Sequence, residues 1–281
     1  MSFEKEMILK TFVARSPNGE QLLRFLPPLL SEEVKGASSS PAVDFGSLFS
    51  PTKWIPTLHY SWFIPPLEKI PQEAQQLFVS LLPPSQGKKV AEKLGIDYHP
   101  SPLSPFSKRF LGFTLRNILE EEALLPVPCL PPSDFKILLK MSKKNLLYLI
   151  DLLGIHDLAA DLRHIVDREL LDKVYAVLSK NELHFLYYCI KQPIKWVPPK
   201  LGVTRWSGSS TQLHHLLHQR GLARLARGLS KEHPSFIWHF LHRLDMGRAK
   251  IMKKTLQEDP LPSLTSYFAQ QILHILKRRI P

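Results

Sequence analysis

The stretch SKKNLLYLIDLLG, Ser142 to Gly154, carries leucine or isoleucine at positions 146, 147, 149, 150, 152 and 153. At 100° per residue these side chains go nearly all round a helix, the pattern of a central helix covered on most sides. Ser142 stands where an N-cap stands, and Gly154 reads as the C′ residue that ends the helix. Working outward, DLAADLRHIV places Leu158, Leu162 and Ile165 on one face. RELLDKVYAVL presents Leu170, Leu171, Val174, Val177 and Leu178, and SKNELHFLYYCI opens with Ser179 and Glu182, a capping box. Short loops between such helices make them stacked or antiparallel neighbours. Strand signals are weak throughout, and no repeat is regular enough for a solenoid. The expected fold class is mainly α: a compact multi-helix domain with proline-rich irregular connections and little or no β.

Upstream, residues 1–36 suit two short helices around SPNGE, and KGASSSPAVDFGSLFSP, Lys35 to Pro51, reads as a linker. This divides the chain into an N-terminal extension, 1–50, and a helical domain, 51–281. Within that domain, 51–130 is rich in proline and aromatics, and 131–281 holds the helical core and a basic last third. Five prolines in PTKWIPTLHYSWFIPPLEKIP, Pro51 to Pro71, forbid a long helix. Its aromatics Trp54, Tyr60, Trp62 and Phe63 need burial, either as a strap packed across helices or against a partner, where aromatic anchors are enriched. QEAQQLFVSLLP and SQGKKVAEKLG suit short helices, the second ended by Gly95. SKRFLGFTLRNILEEEALL places Phe110, Leu111, Leu115, Ile118 and Leu119 at helical spacing. KQPIKWVPPKLGVTRWSGSS leaves room for a short strand or hairpin at most.

The chain has 281 residues, 44% of them hydrophobic, enough to build a sizeable core. Only 12 glycines lower the prospect of a loop that brings backbone close to a phosphate. Two cysteines, Cys129 and Cys189, are too few for a disulfide framework or a cysteine zinc site and read as small core fillers. The first ten residues mix charges and lack a signal-peptide core, and no apolar run approaches the ~20 residues that span a bilayer. A soluble cytoplasmic protein is expected.

TQLHHLLHQRG, Thr211 to Gly221, sets His214 and His218 four apart, the spacing of two zinc ligands on one helix face. The helix-borne zinc frame of hydrolases is H-E-x-x-H, whose glutamate is the general base. Here His215 stands in its place, and a third ligand must come from His233, His239, His242 or His274. SFIWHFLHRLD puts Ile237, Phe240, Leu241 and Leu244 on its apolar side and His239 and His242 on the other. Solvated or partner-facing histidines are the simpler expectation, and no metal is assigned. After Gly221 the apolar phase moves to Leu222, Leu225, Ala226 and Leu229, so the helix bends there or is clasped from both sides.

Net charge is +12, and from Leu201 onward 13 Lys and Arg face 4 Asp and Glu, a net of +9. Arg224, Arg227, Arg243, Arg248, Lys253 and Lys254 are the candidates for a basic surface that takes an acidic partner. The sequence holds no G-x-S-x-G, H-E-x-x-H, G-x-G-x-x-G or complete P-loop motif, and no RNP or zinc-finger signature. No catalytic or cofactor-binding residue is therefore assigned. Nucleic-acid binding rests on charge alone and stands second, with a histidine-based zinc hydrolase third.

Three blocks carry a family resemblance. They are SPTKWIPTLHYSWFIPPL; LLYLIDLLGIHDLAADLRHIVDRELLDKVYAVLSKNELHFL, with Arg163 inside an apolar frame; and QRGLARLARGLSKEHPSFIWHFLHRLD with the closing FAQQILHILKRRIP. In order and pattern they resemble the SctK (YscK/PscK) family, cytosolic sorting-platform proteins of type III secretion injectisomes. The resemblance implies a non-catalytic adaptor without cofactor at the cytosolic face of the inner membrane. It implies partners too: the forkhead-associated domain of the ring protein SctD and the pod protein SctQ, with the stator SctL further along. The aromatic strap and the basic face are the expected contact patches.

Overall fold

The computed structural model describes residues 9–10, 12–13, 18–36, 52–119, 124–193, 196, 198–258 and 264–277. The linker around 37–51 and residues 120–123, 259–263 and 278–281 lie outside them. The longer helices are α1 (Pro28–Gly36), α2 (Gln72–Leu81), α3 (Pro84–Leu94), α4 (Pro105–Leu119), α5 (Lys143–Leu162) and α6 (Arg168–Val177). They continue as α7 (Lys180–Lys191), α8 (Ser210–Leu229), α9 (Pro234–Arg243), α10 (Met246–Glu258) and α11 (Thr265–Lys277). No strand occurs among the described residues, so the mainly α expectation stands, and the described residues of 192–209 carry a 3-10 turn, Val203–Arg205. No helix among them is long and apolar enough to cross a membrane.

The chain forms two compact units. The first takes residues up to Pro132 together with His233–Asp245, and the second takes Ser133–Glu232 and Met246–Pro281.

In the first unit the prolines do what their fixed φ dictates. The 51–71 segment breaks into one-turn pieces, Ile55–Thr57, Tyr60–Phe63 and Ile64–Leu67. Ile55, Leu58, Phe63 and Leu67 pack with Phe78 and Val79 of α2, Val90 and Ala91 of α3, and Leu111 and Leu115 of α4. Each fully buried large side chain contributes roughly 1.5–3 kcal/mol, which outweighs the weak local order of such a segment. Its short turns satisfy several of its carbonyls internally, and glutamine amides bond further to others. Gln86 Nε2 donates to Leu58 O at 2.7 Å, and Gln75 Nε2 to Leu67 O and Ile70 O, each at 3.0 Å. Gly95, at φ 69°, ends α3 in the left-handed region as expected.

In the second unit α5 is the central helix, packed on α8 and α7. Ser142 caps it, its Oγ accepting the Asn145 N–H at 3.2 Å, and Leu149, Ile150, Leu153 and Leu158 are fully buried. Gly154 does not end it, however; the helix runs through to Leu162 and absorbs the segment expected to form a separate one. Gly154 is there because α8 crosses at that point. A Cβ on Gly154 would overlap the Leu217 carbonyl, and one on Gly221 would overlap the Ile150 carbonyl. The two glycines let the backbones approach too closely for any side chain. Gly221 does not interrupt α8 either, which runs on through it and is clasped between α5, α10 and α11. That explains its two apolar phases: Leu213 and Leu217, then Leu222, Leu225, Ala226 and Leu229, are all buried. The Ser179/Glu182 capping box opens α7 as expected.

Candidate functional site

The aromatic strap packs inward. Phe63 is fully buried, and Trp54 and Tyr60 pack partly buried against the first unit's core. Trp62 donates its Nε1–H to Leu244 O at 2.9 Å, and the His59 N–H is accepted by His242 O at 2.7 Å. The His242 ring lies between the Trp62 and Trp238 rings, with centroids 3.9 and 3.8 Å away. Of the two readings of this strap, packing accounts for the contacts.

His215 is exposed as expected, but several other histidines are structural parts. His242 is 7% exposed and gives its Nδ1–H to Trp238 O at 2.8 Å. His239 donates Nε2–H to Leu125 O at 2.8 Å. Burial pulls its pKa below the ordinary imidazole value, against that hydrogen bond and with a smaller push from Arg116. The zinc-spaced pair divides its attention. His214 Nδ1 lies 3.8 Å from Glu182 Oε1. His218 sits in a chain in which Arg248 donates Nε–H to its Nε2 at 2.7 Å, so its own proton is on Nδ1 and goes to Asp151 at 2.6 Å. Both ring nitrogens of His218 are occupied, and the chain ties α5, α8 and α10 together. Among the described residues no group of three or more His, Cys, Asp or Glu is placed to hold a metal.

The expected basic surface is only partly a surface: Arg224 is buried, Arg227, Arg243 and Arg248 are half-buried, and Lys253 and Lys254 are exposed. Arg224 is 2% exposed, as is Asp157, and cannot present a surface. Its Nε donates to Asp157 Oδ1 at 2.6 Å, its Nη2 reaches the same carboxylate, and its Nη1 donates to Gln271 Oε1 at 2.7 Å. The Trp196 and Phe268 rings flank the guanidinium at 5.3 and 5.5 Å. Burial pushes the Asp157 carboxyl above its usual range, and Arg224, then Arg220 at 3.8 Å, pull it back. Arg227 lies over the Trp196 ring at 5.1 Å, and burial lowers the guanidinium pKa of half-buried Arg243. Arg248 is engaged with His218. Lys253 and Lys254 are exposed, and Lys250 joins them on one face of α10 at i, i+3, i+4 spacing. Sequence reasoning missed this sorting because arginine and lysine look alike in a charge count, whereas a planar guanidinium suits burial and an ammonium does not.

The most exposed large apolar surface on a long helix is on α4. Phe106, Phe110 and Phe113 are 79, 62 and 39% exposed and stand at i, i+4, i+7. They point away from Leu111 and Leu115, which face the core, so α4 is apolar on two opposite sides. Phe110 and Ile118, grouped above with the core leucines, are therefore outside it. Arg109 and Arg116 border the phenylalanine strip, and the Arg109 guanidinium sits 5.8 Å from the Phe113 ring centre.

Comparison with protein-family models, curated proteins and solved structures finds no match to this chain.

Proposed function

We propose that the chain is a non-catalytic adaptor of a type III secretion sorting platform, linking the SctD cytoplasmic domain to SctQ. The observation that supports it is the outer strip of α4. Three phenylalanines held in water on a rigid helix, bordered by two arginines, are the makings of an aromatic-anchored protein contact. The exposed lysine row of α10 offers a second, electrostatic contact for an acidic partner. The basic helical blocks that resemble the SctK family agree with such a role, in which the protein would sit at the inner membrane through its partners.

The test is a pull-down with purified SctD cytoplasmic domain and SctQ. Wild type should retain at least one of them. Changing Phe106, Phe110 and Phe113 together to serine should abolish that retention and leave the circular-dichroism spectrum unchanged. If wild type retains neither, the adaptor reading fails. The α10 lysine row also favours a second reading, nucleic-acid binding. DNA or RNA binding that weakens steeply between 50 and 200 mM salt, as expected of several phosphate contacts, would support it; absence of binding at low salt would remove it.

A further inference from the structure

In the second unit a cavity of about 320 Å³ lies among α5, α7, α11 and Trp196. Its floor includes the buried Ala159, Cys189, Arg224 and Gln271, and its rim includes the exposed Gln192, Pro193 and Gln270. It is therefore reached from solvent on the rim side and closed below. Its volume is at the small end of ligand sites, room for roughly ten non-hydrogen atoms at about 30 Å³ each.

The lining has a one-sided chemistry. It contains two arginines and two histidines but no aspartate or glutamate. Arg224 is balanced from behind by Asp157. Arg163 is not balanced by any acid among the described residues. Its Nη2 donates to the carbonyls of Cys189 and Gln192, at the end of α7, and its Nε is enclosed without an acceptor. One full positive charge thus remains at the cavity.

The neighbours are set as donors. Arg224 fixes the Gln271 oxygen, which turns the Gln271 amide nitrogen toward His156 Nδ1 at 3.4 Å. The His156 proton is then on Nε2, directed at Cys189 Sγ 4.0 Å away. Burial, then Arg224 and His274, hold this imidazole well below its ordinary pKa, so it is neutral at pH 7. The walls are flat: Tyr188 stacks on His274 with ring centroids 4.8 Å apart, and Trp196 and Tyr267 also line the space.

We propose that this cavity binds a small planar carboxylate whose anionic end pairs with Arg163 and whose flat body lies against the aromatic walls. This is separate from the adaptor reading and stands or falls without it.

The experiment uses the purified full-length chain and two matched probes, benzoate and its neutral isostere benzamide. The readout is the rate of iodoacetamide alkylation at Cys189, followed by mass spectrometry, with Cys129 in the first unit as internal reference. Both cysteines are buried and neither is in a disulfide, so each starts slow. Benzoate should slow Cys189 alkylation saturably, with half-effect in the millimolar range or below for a ligand of this size. Cys129 should not change, and benzamide should have no effect at equal concentration. Arg163→Gln should weaken benzoate protection about tenfold, the loss of a charge-assisted pair, while Arg163→Lys should retain part of it. Because Arg163 also caps α7, Ala160→Leu provides a second variant: it fills the cavity without touching the cation and should also remove protection. Equal protection by benzamide, equal slowing at Cys129, or no saturable effect of benzoate would each overturn the proposal.

Discussion

At the residue scale the molecule depends on a buried charge pair. Asp157 and Arg224 lie together at 2% exposure, far from the surface role that the basic composition suggests for Arg224. Removing one partner strands the other charge. Arg224→Leu alone should destabilise the fold by about 3–5 kcal/mol, and adding Asp157→Leu should recover much of that loss. Urea denaturation of both variants checks this. A near-additive double mutant would show that the pair is not coupled.

Two histidines supply a pH dependence. His156 and His239 have folded pKa values lowered by burial. Below about pH 6.5 the unfolded chain binds protons that the folded chain refuses, so stability falls as pH drops, by up to about 1.4 kcal/mol per pH unit for each histidine still neutral when folded. Equilibrium unfolding from pH 7.5 to 5 should show that fall. Replacing His239 with glutamine should flatten it in part, and an unchanged profile would count against a buried neutral ring.

These roles were hidden in the sequence. The spacing of His214 and His218 was plain, but Asp151 and Arg248, which occupy His218, are remote in sequence. Arg224 became interior because Asp157 and Gln271, on other helices, meet it there.

At the element scale, periodicity gave the helices and some of their caps. Ser142, the Ser179/Glu182 box and Gly95 were legible because capping chemistry is local. Ser142→Ala should cost about 1 kcal/mol. What periodicity could not give was the purpose of a mid-helix glycine. A glycine that ends a helix and one that admits a crossing helix look the same until the partner is known. For Gly154 the partner is α8, with Gly221 at the crossing. Gly221→Ala gains helix propensity but drives a methyl into the Ile150 carbonyl, so α5 and α8 must separate. The net cost should be about 2–3 kcal/mol, read from thermal or urea unfolding. A stabilised variant would contradict the close crossing. The same limit applied to α4. With apolar residues nearly all round, the pattern did not tell which side faced inward, and Leu111 and Leu115 took the core while the phenylalanines stayed outside.

At the scale of the whole molecule, the two compact units carry different things. The first builds a core from a proline-broken aromatic strap and leaves a phenylalanine strip on α4. The second wraps α5 and α8 closely enough to bury an ion pair, leaves a cationic cavity and displays lysines on α10. Periodicity gave the fold class and composition the charge, but neither gave the distribution of charge between interior and surface, which depends on contacts between segments distant in the chain.

The adaptor role is tested most directly by replacing Phe110 with a photo-crosslinkable phenylalanine and irradiating cells that assemble an injectisome. Position 110 is 62% exposed and opposite the core, so it should accept the change without loss of fold. Crosslinked products should contain SctD or SctQ. Crosslinks confined to this chain itself, in cells where the apparatus is present, would contradict the adaptor account.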